Sequence, residues 1–207
     1  MTDSNPDLLI DHFLPHPHFE LMRHTVVDAP VKDTYAAARD LDFTDVRGGV
    51  VSLACRVRGL PGRWHNRRRG AGRQPTRLTI DDLDAGSAWV LLGEHTGSEF
   101  AIGVAGTFWR PVITWRRVDA DEFPAFEEPG FGKLVLAVSV RSYGPHRSLL
   151  TVHTRVQLTD PHSWLKFRRY WRMAGPFIRA LHTALIAAMA VDARQRALTA
   201  YSRSDQD

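Results

Sequence analysis

Residues 149–189 read LLTVHTRVQLTDPHSWLKFRRYWRMAGPFIRALHTALIAAM, and this stretch decides the fold. Its opening alternates. Leu150, Val152, Val156 and Leu158 share one face with Thr154, while Thr151, His153, Arg155 and Gln157 share the other, the period of a half-buried strand. After Thr159-Asp160-Pro161 the period becomes helical. Trp164, Phe167, Trp171, Ile178, Leu181, Leu185 and Met189 fall within a stripe about 100° wide, with Arg168, Arg172 and Arg179 outside it. Thr159 or Asp160 can cap this helix, and Pro161 suits its first turn. Gly175-Pro176 interrupts it, because a proline removes one backbone bond and crowds the preceding turn. The spacing therefore predicts a kink or brief break near Arg172 to Gly175, at the middle of the helix, where a ligand could enter.

A helix of this size must bury its stripe, and the segments before it supply a partner. Lys133 to Tyr143 reads as a strand with Leu134, Leu136, Val138 and Val140 on one face. Lys133, Ser139 and Arg141 share the other with Val135 and Ala137, and Gly144-Pro145-His146 turns the chain into the next strand. Trp89 to His95 and Glu99 to Val104 form a hairpin across Thr96-Gly97-Ser98. Phe108 to Val118 is a strand broken by Pro111, and Asp119 to Phe126 a helical turn. One covered face and one wet face are expected, the habit of antiparallel sheets.

Further upstream, Phe19 to Asp28 reads as a strand. Asp28-Ala29-Pro30 starts a helix with Asp28 as cap, and Val31, Tyr35 and Ala38 repeat at helical spacing through Arg39. A second helix is expected from about Val46 to Val57, a cationic loop from Arg58 to Arg77, and a short helix from Thr79 to Leu83. Leu8, Leu9, Ile10 and Phe13 mark a short helix ended by Pro15-His16-Pro17. The expected organisation is an N-terminal extension over residues 1–18, a single domain over 19–200 and a frayed tail over 201–207. The fold class is α+β: a helix-grip arrangement, with a curved antiparallel sheet of six or seven strands wrapped on a long C-terminal helix.

Composition narrows the chemistry. A chain of 207 residues suits one domain that buries about 70% of its unfolded surface. Lys32, Lys133 and Lys166 are the only lysines, and arginine carries the rest of a net charge of +4. Arginine suits phosphate and carboxylate, yet a GC-rich genome yields the same skew through codon usage. Cys55 is the only cysteine, which excludes an internal disulfide and thiolate metal clusters. No apolar run approaches the ~20 residues of a membrane span, and signal-peptide order is missing, so a cytoplasmic protein is expected. The absence of GxSxG, HExxH, P-loop and GxGxxG patterns removes the common hydrolase, metalloprotease and nucleotide-binding readings. His12, His16 and His18 would bind zinc only with help from elsewhere, so neither a metal nor a cofactor is expected. Arg67, Arg68 and Arg69 with Trp64 suit nucleic acid or an anionic membrane, or simply a solvated loop. No cations line a helix face and no aromatics repeat along a sheet, so a nucleic-acid partner is not expected. A homodimer is left open.

Across nearly the whole chain, the order of strand, two helices, five or six antiparallel strands and one long helix resembles the helix-grip fold of the START/Bet v1-like superfamily, which includes polyketide cyclase and lipid-transport proteins. Local phrases such as His24-Thr-Val-Val-Asp-Ala-Pro30, Gly106-Thr-Phe-Trp-Arg-Pro111, Phe123-Pro-Ala-Phe-Glu-Glu-Pro-Gly130, and Phe167-Arg-Arg-Tyr-Trp171 followed by Gly175-Pro176 are similar to an actinobacterial-type branch with no assigned activity. The resemblance implies a cavity between sheet and last helix for a small hydrophobic or amphipathic ligand, and transfers no catalytic residue. Its lining would be Phe100, Ile102, Val104, Leu136, Val138, Val152 and Thr154 beneath Trp171, Ile178 and Leu181. Arg110, between Trp109 and Pro111, is the polar candidate for a ligand carboxylate, phosphate or enolate. Binding or transport of such a ligand is the expected function. The alternative is a polyketide cyclase or dehydratase-like enzyme, with Arg110 holding an enolate and His24 or His95 carrying protons, and Glu94 as a further acid-base group. A third reading is an interaction module acting through the arginine loop.

Overall fold

The computed structural model describes residues 8–42 and 88–204. The expected helices over Val46 to Val57 and Thr79 to Leu83, the arginine loop and Cys55 lie outside the described residues. Within them the order is α1 (Leu9–Phe13), β1 (Phe19–Val27), α2 (Val31–Arg39), β2 (Val90–His95), β3 (Glu99–Gly106), β4 (Trp115–Arg116), β5 (Gly132–Ser142), β6 (Ser148–Leu158) and α3 (Pro161–Ser204). The fold is α+β: a curved, unclosed sheet of six antiparallel strands with one long C-terminal helix, consistent with a helix grip. The strand order is β1-β6-β5-β3-β2, with β4 paired to the end of β3.

Register carries the alternation across the sheet. Leu134, Leu136, Val138 and Val140 of β5 pair with Val156, Thr154, Val152 and Leu150 of β6. On the other side Val104, Ile102 and Phe100 of β3 oppose Leu134, Leu136 and Val138. These side chains form one continuous inner face toward α2 and α3. Phe19, Leu21, Arg23, Thr25 and Val27 of β1 extend it, since they oppose Val156, Thr154, Val152, Leu150 and Ser148.

The outer face is covered over β2, β3 and β5 and wet along β1, where Glu20, Met22 and His24 are exposed. Ile10, Phe13 and Leu14 of the α1 segment pack with Phe123, Val118, Val135, Ala137 and Ala101 into a second core. Charges from the sheet hold α1 at both ends. The Leu9 amide donates to Glu99 Oε1 at 3.1 Å, while Arg155 Nη1 donates to the Leu14 carbonyl at 3.1 Å and to Asp11 Oδ1 at 2.6 Å. An anion at the amino end and a cation at the carboxyl end both complement the helix dipole. The 119–126 segment is anchored in the same way, by the buried Lys133 ammonium donating to the Phe123 and Pro124 carbonyls at 3.3 and 2.8 Å. Burial pushes the Lys133 pKa down. Gly103 lets the Phe123 ring approach the sheet, because a Cβ there would lie 2.9 Å from that ring and 2.7 Å from Leu92 Cδ1.

Three local expectations change. Asp28 does not cap α2; Pro30 occupies the cap position without a side-chain bond, and its carbonyl accepts from the Asp33 and Thr34 amides. The broken strand at 108–118 shrinks to the two residues of β4, because the 107–114 loop closes on itself: Thr107 N donates to Thr114 O at 3.0 Å and Thr114 N to Thr107 Oγ1 at 2.9 Å. Finally, the brief break does not occur: α3 runs for 44 residues as one helix through Pro176. The reason lies one residue earlier. A residue before proline is disfavoured in the helical region by clashes of the proline ring with its N–H and its Cβ, and Gly175 removes the second. The carbonyl that Pro176 leaves without an amide belongs to Arg172, an exposed residue that water can reach.

The start of α3 follows expectation. Asp160 Oδ1 accepts from the Ser163 amide at 2.9 Å, and Oδ2 accepts from Ser163 Oγ at 2.6 Å and from the Gly130 amide at 2.7 Å. These bonds, led by Ser163, hold the Asp160 carboxyl down at about pKa 2. Asp160→Ala is expected to cost about 1 kcal/mol, the usual worth of a side-chain cap, measurable by urea denaturation. The helix also contains an 18-residue stretch of mean hydropathy 1.4, long and apolar enough by length and composition to cross a membrane, of which 28% is buried. Charged and polar residues such as Arg179 and His182 break up its apolar sequence, so no unbroken apolar run marks it.

Candidate functional site

The inner face is closed at its two ends and looser between them. Toward one end Leu185, Ile186, Met189, Ala190 and Ala193 of α3 pack on Phe100, Ile102, Val138, Leu150 and Val152, with Tyr35 and Ala38 of α2 closing the side. At the other end Phe167 meets Phe19, Tyr170, Trp171 and Trp109 at ring separations of 5.0–6.1 Å, beside Val104, Val156 and Leu158. Between these clusters Leu21, Leu134, Leu136, Trp171, Ile178 and Leu181 are only half-buried. Gly175 lies in phase with Trp171, Ile178 and His182 and is itself buried. Among the described residues, a Cβ on it would meet no atom within 4 Å beyond its chain neighbours and the adjacent helix backbone. The stripe that grips the sheet thus has a gap at its centre.

A polar pair borders the gap. Thr154 Oγ1 and His182 Nε2 share a hydrogen bond of 2.8 Å, and both side chains are buried, His182 to 1% exposure. His182 Nδ1 has no partner among the described residues. Burial, then the charge of Arg23, then His153 push the His182 pKa down to about 4, so the ring is neutral at neutral pH. Whichever tautomer it adopts, one ring nitrogen remains unmet, a state that costs about 1–3 kcal/mol when a group is buried. Arg23 follows Leu21 on the inner face of the edge strand β1 and is exposed. It has no ion pair or hydrogen bond among the described residues.

The sequence-predicted residues divide accordingly. Phe100, Ile102, Val138 and Val152 belong to the first cluster, with Leu136 and Leu181 at its margin, and Val104 and Trp171 belong to the aromatic end. Ile178 borders the gap and Thr154 bonds His182. Arg110 stands apart. It is exposed and lines a recess of about 380 Å³ with Trp109, Pro129, Gly130, Asp160, His162 and Lys166, at the start of α3. A larger open groove of about 610 Å³ lies nearby, along His18, Leu158, Pro161, Trp164 and Leu165.

The acid-base candidates fall largely elsewhere. His24 opposes Thr151 and His95 opposes Glu99, which places both on the outer face, where His95 Nδ1 lies 2.9 Å from Glu99 Oε1. Glu94 is on the inner face, where it accepts hydrogen bonds from the Tyr35 hydroxyl and from Arg39 Nε. Burial and Glu94 together raise the Tyr35 pKa. His18 Nδ1 accepts from the Leu158 amide at 3.0 Å, and the His12 ring packs edge-on against Phe13. No group of three or more metal-ligating side chains gathers among the described residues.

Neither His182 nor Arg23 stands out when the chain is read for motifs. Their signal is phase. His182 falls in the apolar stripe of α3 one turn from Ile178, and Arg23 alternates with Leu21 and Thr25 on the face that grips.

No protein-family model matches the chain, and no curated protein matches it. Among solved structures it is similar to the crystal structure of TTHA0849 from Thermus thermophilus, with 9% identity over 88% of this chain and 99% of that one and a TM-score of 0.29. A score that low lends no support to a shared fold or function. The class the fold defines is an α+β protein whose long C-terminal helix lies along a curved antiparallel sheet.

Proposed function

We propose that this chain is a START/Bet v1-like cytoplasmic carrier that holds a small hydrophobic or amphipathic molecule between the sheet and α3. The observation that carries the reading is the break in the gripping stripe. Phe167 on one side and Leu185 and Met189 on the other are buried, while the centre holds Gly175 with open space among the described residues where a side chain would stand. Half-buried Leu136, Ile178 and Leu181 give that space apolar walls, and a ligand there would cover surface that the protein leaves only partly covered. With His24 and His95 on the outer face, the placement of side chains favours carriage over a cyclase reaction.

Native mass spectrometry of freshly purified protein, followed by organic extraction, is expected to reveal a co-purifying apolar molecule. Ile178→Trp would fill the gap from the helix side, and uptake of an apolar fluorescent dye by this variant is expected to fall at least about tenfold, the scale of lost apolar contact. A wild-type protein that carries no small molecule and takes up no dye would defeat the reading. Dye uptake unchanged in Ile178→Trp would move the site elsewhere.

A further inference from the structure

Four observations at the centre of the grip point to the kind of molecule it holds. Arg23 is a fixed cation on the inner face, exposed and without a partner among the described residues. His182 is bound through Nε2 to Thr154, the next residue on this face of β6 after Val152, which opposes Arg23, and its Nδ1 is buried without a partner among the described residues. Arg23 lies on the edge strand β1, so this polar corner opens at the side of the sheet. The apolar gap runs inward from it: Phe19 packs on Trp171 at 5.6 Å, and Leu21, between Phe19 and Arg23 on the same face, opposes Thr154.

We infer that the ligand is a long-chain monocarboxylate whose head is bound by Arg23 and the free nitrogen of His182, with its apolar tail lying in the gap at Gly175. The inference rests on the carrier reading and specifies its ligand. One arginine fork matches one carboxylate in geometry and charge. The neighbouring imidazole adds no second charge, because burial and Arg23 itself keep it neutral. A phosphate monoester would bring about twice the charge to a corner holding one fixed cation. The unmet ring nitrogen of His182 gains a partner when the head, or a water bound with it, arrives; in the Nδ1–H tautomer it donates directly to a carboxylate oxygen.

The test uses the full chain and three probes: cis-parinaric acid, its methyl ester, and an alkyl phosphate of similar length competing against the acid. Wild-type protein is expected to bind the acid about tenfold or more tighter than the ester, the effect of one charge-assisted bond. Arg23→Gln is expected to remove that preference while leaving ester binding within about twofold, and Arg23→Lys to restore part of it. Arg23 is exposed, so neither substitution disturbs the core. Equal binding of acid and ester by the wild type would overturn the head-group assignment and leave the carrier reading standing. An acid preference that survives in Arg23→Gln, or a phosphate that outcompetes the acid, would overturn it as well. Failure of both acid and ester to bind would overturn the two readings together.

Discussion

Replacing Phe167 with alanine is expected to lower the unfolding free energy by about 3–5 kcal/mol, the cost of emptying a buried aromatic site that cannot collapse. Phe167 is 2% exposed and surrounded by Phe19, Trp109, Tyr170 and Trp171 at 5.0, 6.1, 5.6 and 5.7 Å. These are large planar rings on three different segments, held by strand pairing and helix geometry, so none can slide into the vacated volume without giving up contacts of its own. At roughly 2–4 °C per kcal/mol for a chain of this size, the melting temperature should fall by roughly 6–20 °C. Met173 is 79% exposed on the same helix. Its alanine variant should stay within about 0.5 kcal/mol of wild type. Urea titration followed by circular dichroism compares the two directly. A loss below about 1 kcal/mol for Phe167→Ala would mean that the aromatic cluster does not hold the start of α3 to the sheet.

Acid is expected to remove roughly 3 kcal/mol of stability between pH 6.5 and 4 through His182 alone. The folded-state pKa of about 4 lies below the ordinary 6.5, so in this window the unfolded chain binds the proton and the native protein resists it. The stability is therefore fully present above pH 6.5 and is lost as pH falls toward 4. His153, whose pKa is lowered first by burial and then by Arg155, acts in the same direction. Asp160 contributes little to the slope in this window, because its pKa is depressed from 3.8 to about 2 and the stability it supplies is lost as pH falls from 3.8 toward 2. His182→Phe keeps a planar ring and removes the titrating group. Its unfolding free energy should depend less steeply on pH than that of the wild type, whatever its absolute level, and parallel pH profiles would show that His182 is not the group responsible.

The long helix and the gripping face of the sheet are legible in the sequence because they depend on period. The alternation in Lys133 to Tyr143 and Leu149 to Leu158 puts Leu136, Val138, Val152 and Thr154 on one lining face, and the register pairs Leu136 with Thr154 and Val138 with Val152. The covered outer face is not legible. It depends on Glu99 and Arg155 reaching Leu9 and Asp11 across separations of 90 and 144 residues, and on Lys133 holding carbonyls of the 119–126 segment. Local pattern carries no trace of such bonds. Much of the apolar lining of the candidate site can be read from the same alternation, whereas its polar corner cannot. A histidine inside an apolar stripe and an arginine on a strand are both ordinary alone; they acquire meaning only when the register brings them together. Gly175-Pro176 shows the reverse error, in which two helix-breaking residues side by side leave the helix whole because the first lacks the Cβ with which the second would clash.

The clasp around α1 also sets an order of events. Five residues cannot sustain a helix alone in water, and the carboxylate and guanidinium that fix its ends come from β3 and β6. The segment from Leu9 to Phe13 therefore leaves the ribosome long before the site it occupies exists, and it must wait for most of the sheet to be assembled. A stretch made before the sheet is thus expected to settle only after it.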